Sequence, residues 1–328
     1  MMYELMRNWE NDPMDMRDVY CDTLLEMARK NRDIVALDAD LMVAIGLSRS
    51  FAKELPEQTV DCGIMEANMI GVAAGMSLCG KIPFAHSFGP FASRRVYDQI
   101  FVSGAYAKTN IKIIGSDPGI TAALNGGTHM PFEDMGILRC IPEITLLEPT
   151  DNVMLKNLLP KVAERYGVVY MRVPRKSVVR VYADGCDFEI GKAAELRDGN
   201  DLTIIASGYC VAESLKAAKQ LAAQGIQARV LNLFTWKPID EEAIVRAAEE
   251  TGAIVTAENH TVCGGLGSAV AEVLAKKCPV PVEMIGVQDR FGEVGKVPYL
   301  SERFGLNAQH IVQAAATACI RKQKCCSD

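Results

Sequence analysis

The sequence predicts an α/β protein of two successive doubly wound domains with mainly parallel sheets, and three observations carry that prediction. Short β-rich runs alternate with helical patterns along the first half of the chain. Several of these runs are apolar throughout, as strands covered by helices on both faces must be. A second series of the same alternation begins after a stretch of Pro, Gly and scattered charge.

The first series reads IVALDAD (34–40), PFAHSF (83–88), IKIIGSD (111–117), ITLLEPT (144–150) and VVYMRVP (168–174) as strands, with helices such as 15–30 and 152–165 between them. RVPRKSVVRVYADGCDFEIG (172–191) breaks the rhythm and sets the boundary, giving domains 1–185 and 186–328. DLTIIASG (201–208), QARVLNL (227–233), AIVTAEN (253–259), PVEMIGV (281–287) and a helix from Ala308 form the second series. It carries fewer candidate catalytic groups and reads as a structural or dimer-forming domain. No repeat or low-complexity segment is visible. Polar residues at the carboxyl ends of the first-domain strands are the natural site candidates, because open α/β sheets bind ligands along that edge.

With 328 residues, 49% hydrophobic and 23% charged, the chain has the makeup of an ordinary globular protein with a sizeable core. A net charge of -6 argues against a nucleic-acid surface. No run reaches the apolar length of a membrane span, and the acidic, Met-rich start is not a signal peptide, so a cytoplasmic protein is expected. The eleven cysteines fall mostly in apolar segments, as Cys62, Cys79, Cys140, Cys210 and Cys319 do, and are expected as buried reduced thiols. No CxxC pair has zinc-like spacing, so no metal site is expected in this chain; Cys325 and Cys326 lie in a polar tail.

The chemistry concentrates in a few segments. GIMEANM (63–69) sets one carboxylate, Glu66, at the start of an apolar helix, and residues 70–78 read as buried. A carboxylate there lacks water and holds its proton more tightly unless something in the site bonds it. The alternative is a helix N-terminal carboxylate favoured by the macrodipole. Phe88 and Phe91 stand three apart in PFAHSFGPFASRRVYDQI (83–100), where they offer a flat surface to a planar ligand or pack the core. In GSDPGITAALNGGTHMPFED (115–134) a glycine pair, Thr128, His129 and Pro131 mark a tight loop leading into a helix that starts near Phe132. His129 either bonds substrate hydroxyls and passes protons, or caps that helix.

Arg175 closes VVYMRVPR (168–175), where it can clamp an anion. Arg172, Lys176 and Arg180 crowd the same stretch, so a solvated basic segment is the other reading. Asp40 ends the first strand, a position that turn residues also favour. In the second domain, ENHTVCGGLGSAVAEVLA (258–275) places glycines between a strand and a helix. The spacing lacks a dinucleotide fingerprint, so a tight turn is preferred over a phosphate cradle, and His260 reads as a hydrogen-bonded turn histidine.

In combination these segments resemble the pyrimidine-binding and C-terminal domains of the transketolase family, over about residues 16–315 and including DRFGEVGKVPYLSERFGL (289–306). The resemblance implies that Glu66 bonds the aminopyrimidine of thiamine diphosphate and helps activate it. It also implies that Phe88 and Phe91 stack on that ring and that Asp40 lies close to the cofactor. His129 sits in a loop like the family's GxxGPTHQ loop and is expected to contact the donor sugar. Arg175 matches the arginine that binds the sugar phosphate.

Full-length members of the family begin with a domain whose GDG motif and later asparagine hold Mg²⁺ and the diphosphate. Here ADGC (183–186) supplies only half of that motif. The resemblance therefore implies the C-terminal subunit of a split transketolase, assembled with an N-terminal subunit as a two-plus-two heterotetramer. That partner would hold Mg²⁺ and the diphosphate largely by itself.

Three departures bear on the substrate. Asn125 stands where transketolases usually carry an aspartate, Asp117 where many carry a histidine near the substrate phosphate, and Arg94 where the cofactor platform has an aromatic. An aspartate repels phosphate, so the usual phosphorylated acceptor binds differently or is replaced, and an unusual sugar fits these changes. Three other readings remain. One is a synthase like 1-deoxyxylulose-5-phosphate synthase and another is a 2-oxo-acid dehydrogenase beta subunit; a non-catalytic interaction subunit is the third.

Overall fold

The computed structural model describes residues 3–325; the Cys325 side chain and Cys326 lie outside the described part. Among the described residues, twelve strands form two sheets. They are β1 (Ile34–Asp38), β2 (Thr59–Asp61), β3 (Ile82–Phe88), β4 (Lys112–Ser116), β5 (Thr145–Leu147), β6 (Val169–Val173), β7 (Ala194–Arg197), β8 (Leu202–Ala206), β9 (Ala228–Asn232), β10 (Thr235–Lys237), β11 (Ile254–Thr261) and β12 (Val282–Val287). The first sheet runs β10-β5-β6-β4-β3-β1-β2 and the second β12-β11-β8-β9-β7. All pairings are parallel except β10 on β5 and β7 on β9. The expected strands are present, whereas β2, β7 and β10 have no counterpart in the sequence reading because each is only three or four residues long. β10 also lies beyond residue 185 in the sequence yet completes the first sheet.

Side chains along the strands alternate between two apolar clusters, as the two-residue period of a strand requires. Ile34 and Ala36 enter one cluster with helices Met16–Lys30 and Asn152–Glu164, while Val35 and Leu37 enter the other with helix Glu66–Leu78. Each cluster continues into the second domain, one through Leu202 and Ile204, the other through Ile205 and Leu231. The two sheets thus share their covering layers.

The stretch expected as a boundary is fastened rather than loose. Asp151, buried at the N-cap of helix Asn152–Glu164, accepts from Met154 N at 2.9 Å and from Val181 N and Tyr182 N at 2.8 and 2.9 Å. Tyr182 pairs with Leu5 of the N-terminal arm, and its hydroxyl accepts from Asn232 Nδ2 at 2.8 Å.

Four expectations need correction. Helix Glu66–Leu78 buries only Glu66, Met69, Ile70, Ala73 and Ala74; its other face, also apolar, is open, with Leu78 75% exposed. Composition marks such a helix as buried, but does not separate the face that packs from the face left open. Cys79 and Cys140 are exposed because they fall just past helix ends, while Cys21 and Cys210 are buried. Arg172 lies within β6 and is fully buried, not part of a solvated basic segment. The helix expected near Phe132 begins at Asp134, and His129 does not cap it.

Candidate active site

The strand order of the first sheet reverses between β1 and β3, which opens a crevice at their carboxyl ends. The segments that leave β1 to β4 and β6 along this edge carry all the site residues expected from the sequence. At the end of β1, Asp40 adopts a positive φ of 60° and donates its N–H to Asp61 Oδ1 at 3.1 Å. Asp61 also accepts from Gly63 N at 2.9 Å, which folds the following loop toward the start of the Glu66 helix. Next to Asp40, the buried Asp38 accepts from Leu41 N through Oδ1 but leaves Oδ2 without a partner among the described residues. Burial pushes its carboxyl up to about 7.

Glu66 opens its helix and is 4% exposed. The sequence reading left room for a group that bonds this carboxylate, and Arg95 is that group: Nη1 donates to Oε1 at 2.7 Å. Oε2 takes no hydrogen bond from the described residues. Arg95 also lies flat on Phe91, with Cζ 3.8 Å from the ring centroid. Sequence reasoning did not select Arg95, although its place four residues beyond Phe91, on a helical turn, was the available signal.

The rings do not make one flat shelf. Phe88 and Phe91 stand 6.2 Å apart at 76°, and the His129 ring meets both edge-on, at 5.3 and 5.2 Å. His129 Nδ1 pairs with Thr128 Oγ1 at 2.9 Å, and Nε2 has no partner among the described residues. The loop holding His129 is pressed against the Phe88 turn: a Cβ on Gly89 would lie 2.5 Å from Pro131. Arg94 ties the same loop by donating to Glu133 Oε1 at 2.6 Å. Asn125 is exposed on the preceding 3₁₀ segment Gly119–Asn125 and makes no side-chain hydrogen bond to the described residues.

Arg175 and Asp117, expected as separate groups, are one ion pair. Arg175 donates its backbone N–H to Asp117 Oδ1 at 3.0 Å and Nε–H to Oδ2 at 2.6 Å. Burial raises the Asp117 carboxyl, and the Arg175 charge and N–H oppose that rise. Arg175 Cζ sits 4.8 Å from the Phe88 ring centroid. Contacts therefore run unbroken from Glu66 through Arg95, Phe91, His129, Phe88 and Arg175 to Asp117.

A second polar cluster lies where the two sheets meet. Arg172 makes five hydrogen bonds, to both oxygens of Asp134, to Glu148 Oε1, and to the carbonyls of Asn259 and Pro131. Asn259 in turn holds the substrate-loop candidate by accepting from Ile120 N at 2.9 Å and donating to Pro118 O at 2.9 Å. A Cβ on Gly119, whose φ is +50°, would meet Asn259 Oδ1 at 2.1 Å. Glu258 caps helix Leu266–Lys277 by accepting from Leu266 N and Gly267 N at 2.6 and 2.8 Å, so the glycine-rich turn cradles the chain's own carboxylate. His260 lies in β11, not in a turn, and accepts from Gly136 N at 3.1 Å; burial pushes it down to about 4.

A cavity of about 650 Å³ also opens between the domains, lined by Thr121, Pro174, Lys176, Tyr209, Lys216 and Pro298 among others, but it touches neither Glu66 nor the ring cluster. Among the described residues no cluster of three or more His, Cys, Asp or Glu is placed to hold a metal ion. No helix there is long and apolar enough to cross a membrane.

Two family models match the chain: the transketolase pyrimidine binding domain over residues 12–180 and the transketolase C-terminal domain over 191–311. The 6-deoxy-6-sulfo-D-fructose transketolase subunit SqwH of Clostridium sp. (strain MSTE9) is 55% identical over 94% of this chain and 95% of its own length. An apulose-4-phosphate transketolase subunit of Phocaeicola vulgatus is 40% identical over 93% of this chain and 97% of its own. Among solved structures, a split-gene transketolase in an inactive beta4 tetramer superposes with a TM-score of 0.87 at 41% identity, covering 95% of this chain and all of that one.

Proposed function

Because this chain belongs to the transketolase family, whose pyrimidine-binding and C-terminal domains it carries, we propose that it is the C-terminal subunit of a two-subunit transketolase. In this reading the complex moves a two-carbon ketol unit from a ketose with a terminal anion to an aldose. The observation that carries it is the unbroken chain of contacts from Glu66 to Asp117 along one sheet edge, with open valences on Glu66, His129 and Arg175.

The residues fit thiamine diphosphate. Glu66 keeps one carboxylate oxygen free for the aminopyrimidine, and Phe88 and Phe91 would offer it ring faces, with Asp40 at the same edge. The cofactor would supply the carbanion chemistry that no side chain provides. This chain's part would be to present the Glu66 carboxyl to the aminopyrimidine, to keep Arg95 as the counter-charge beside it, and to close water out with the Phe88–Phe91–His129 rings. His129 would bond donor hydroxyls and carry a proton through Nε2, its other nitrogen being held by Thr128. Arg175 would bind the terminal anion, with Asp117 beside it and Asn125 at the mouth of the loop.

The donor we propose first is 6-deoxy-6-sulfo-D-fructose, because SqwH, which bears that name, matches this chain over nearly the full length of both. The missing half of the site, with Mg²⁺ and the diphosphate, would come from an N-terminal subunit in a cytoplasmic two-plus-two heterotetramer. The apolar surface beside Glu66 supports such a partner: helix Glu66–Leu78 packs against the π-helical turn Ile100–Tyr106, which exposes Val102 and Tyr106, the latter to 80%.

The test is to purify the chain by a tag from its native cell with whatever accompanies it, add thiamine diphosphate and Mg²⁺, and follow ketol transfer to an aldose. Transfer by a complex containing an N-terminal-half subunit supports the reading. Carbon dioxide release from pyruvate without ketol transfer would move the reaction to the synthase or 2-oxo-acid dehydrogenase class, and assembly without either activity would favour an interaction subunit.

A further inference from the structure

Resting on that reading, we propose that Asp117 is a positioning and selectivity residue that turns the terminal-anion site toward a singly charged sulfonate and away from a doubly charged phosphate ester. Asp117 leaves β4 with a φ of 57°, a conformation that Asp and Asn tolerate better than other side chains, and its own N–H is fixed to Val173 O at 3.2 Å. From that fixed point both of its oxygens grip Arg175, one at the backbone N–H and one at Nε. Nε is the inner nitrogen of the guanidinium. Its engagement locks the plane of the group against the Phe88 face and leaves both Nη nitrogens without any partner among the described residues. The result is a fork held by its back and open at its front, next to the ring cluster that includes His129.

Sulfonate and phosphate ester present the same tetrahedral set of three oxygens to such a fork, so hydrogen-bond geometry alone does not separate them. Charge does. A sulfonate carries one negative charge, whereas a phosphate ester carries about 1.5 to 2 at pH 7. Asp117 is nearly fully buried and cancels the Arg175 charge at short range. Arg17 lies within electrostatic reach of Asp117, but it is committed elsewhere, donating to Ala44 O and lying beside Asp15 and Asp18. Lys176 is exposed and faces Asp15. The second charge of a phosphate therefore meets a pair of near-zero net charge, while the first is bound by the two open N–H edges. By Coulomb's law at an effective dielectric of about 20, one carboxylate roughly 6–8 Å from the extra charge alters its binding by roughly 30- to 100-fold, and salt and solvent screening at this open edge bring the expected effect to about tenfold.

The experiment compares kcat/KM of the assembled complex for 6-deoxy-6-sulfo-D-fructose and for fructose 6-phosphate, in wild type and in Asp117→Asn. Asparagine tolerates the positive φ and removes the charge, together with one of the two acceptors that hold Arg175, so the ratio between the donors is the readout and not either rate alone. The expected result is a wild-type preference for the sulfonate and a shift of the ratio toward the phosphate ester by about tenfold in the variant, expressed mainly in KM because the anion lies far from the reacting carbons. A purely structural role for Asp117 would lower both donors together and leave the ratio where it was, and that outcome overturns the proposal. So does a wild-type complex that prefers the phosphate ester. A complex that transfers a ketol unit from neither donor instead overturns the functional reading on which the proposal stands. As a second measurement, Arg175→Met should raise KM for both donors at least about tenfold, because the guanidinium fork is what holds either anion; an unchanged KM for both would place the terminal-anion site elsewhere and overturn the proposal.

Discussion

Two arginine–carboxylate assemblies, similar in composition, differ in what they leave unsatisfied. At the junction of the sheets, Arg172 places all its donors on Asp134, Glu148 and two carbonyls, and Glu148 takes a further bond from Ser207 Oγ at 2.5 Å. The whole group is buried. At the carboxyl edge, Arg95 and Arg175 each bond one carboxylate and rest on one ring, leaving Glu66 Oε2, His129 Nε2 and the Arg175 fork open. A closed network fixes the relative placement of two domains; an open one has capacity for a ligand. The difference separates the structural use of these residue types from the functional one where composition does not.

The sharpest way to break this comparison is to exchange the expected consequences. Glu66→Gln should lower ketol transfer by the complex by about 10²–10⁴-fold, because it removes the carboxyl proposed to act on the aminopyrimidine while keeping the shape. Stability should move by no more than about 1 kcal/mol, since its one ion pair has a partner, Arg95, that is 46% exposed. Retained turnover would remove Glu66 from the chemistry and with it the catalytic reading of the edge.

Arg172→Met should do the reverse to the protein. Removing one member of a buried ionic network leaves uncompensated carboxylates, so unfolding free energy should fall by about 3–5 kcal/mol. Chemical denaturation of the isolated chain reads this directly. A loss below about 1 kcal/mol would mean that the junction is held by packing and not by these ion pairs.

Legibility followed the range over which each feature is written. The long strands were readable because apolar runs such as those around β1 and β4 are local, and Glu66 stood out because its neighbours in the chain are apolar. The Asp117–Arg175 pair joins residues 58 positions apart, and Arg172 reaches Asn259 across 87, so neither pairing has a local signature. Arg95 was in view but undistinguished from Arg94 beside it; the two point to different carboxylates, Glu66 and Glu133. β10 was missed for a related reason. Three residues make no pattern, yet they place Trp236 against Arg172 and His260, with centroid distances of 5.8 and 5.3 Å. The apolar open face of helix Glu66–Leu78 was read as core because hydrophobicity records that a surface is to be covered, not by which chain.

The junction also allows a finer test, through pH. Burial pushes the Glu258 carboxyl up to about 8, against the two N–H groups it accepts from and the nearby Arg172 charge. In the unfolded chain it would titrate near the usual glutamate value of about 4.3. The folded form then binds the proton more tightly than the unfolded form, so this group's contribution is fully present below about pH 4 and is lost as pH rises toward 8, with a slope of up to about 1.4 kcal/mol per pH unit. Asp38, raised to about 7, acts in the same direction; His260 and His86, each lowered to about 4, act oppositely below about pH 6.5. The difference between wild type and Glu258→Gln isolates the one group. Glutamine keeps a carbonyl acceptor for the helix end but does not titrate, so the variant should gain on wild type steadily from pH 5 to pH 8, whatever fixed offset its lost second acceptor introduces. Parallel stability curves over that range would show Glu258 ionised throughout and held by the helix N-terminus.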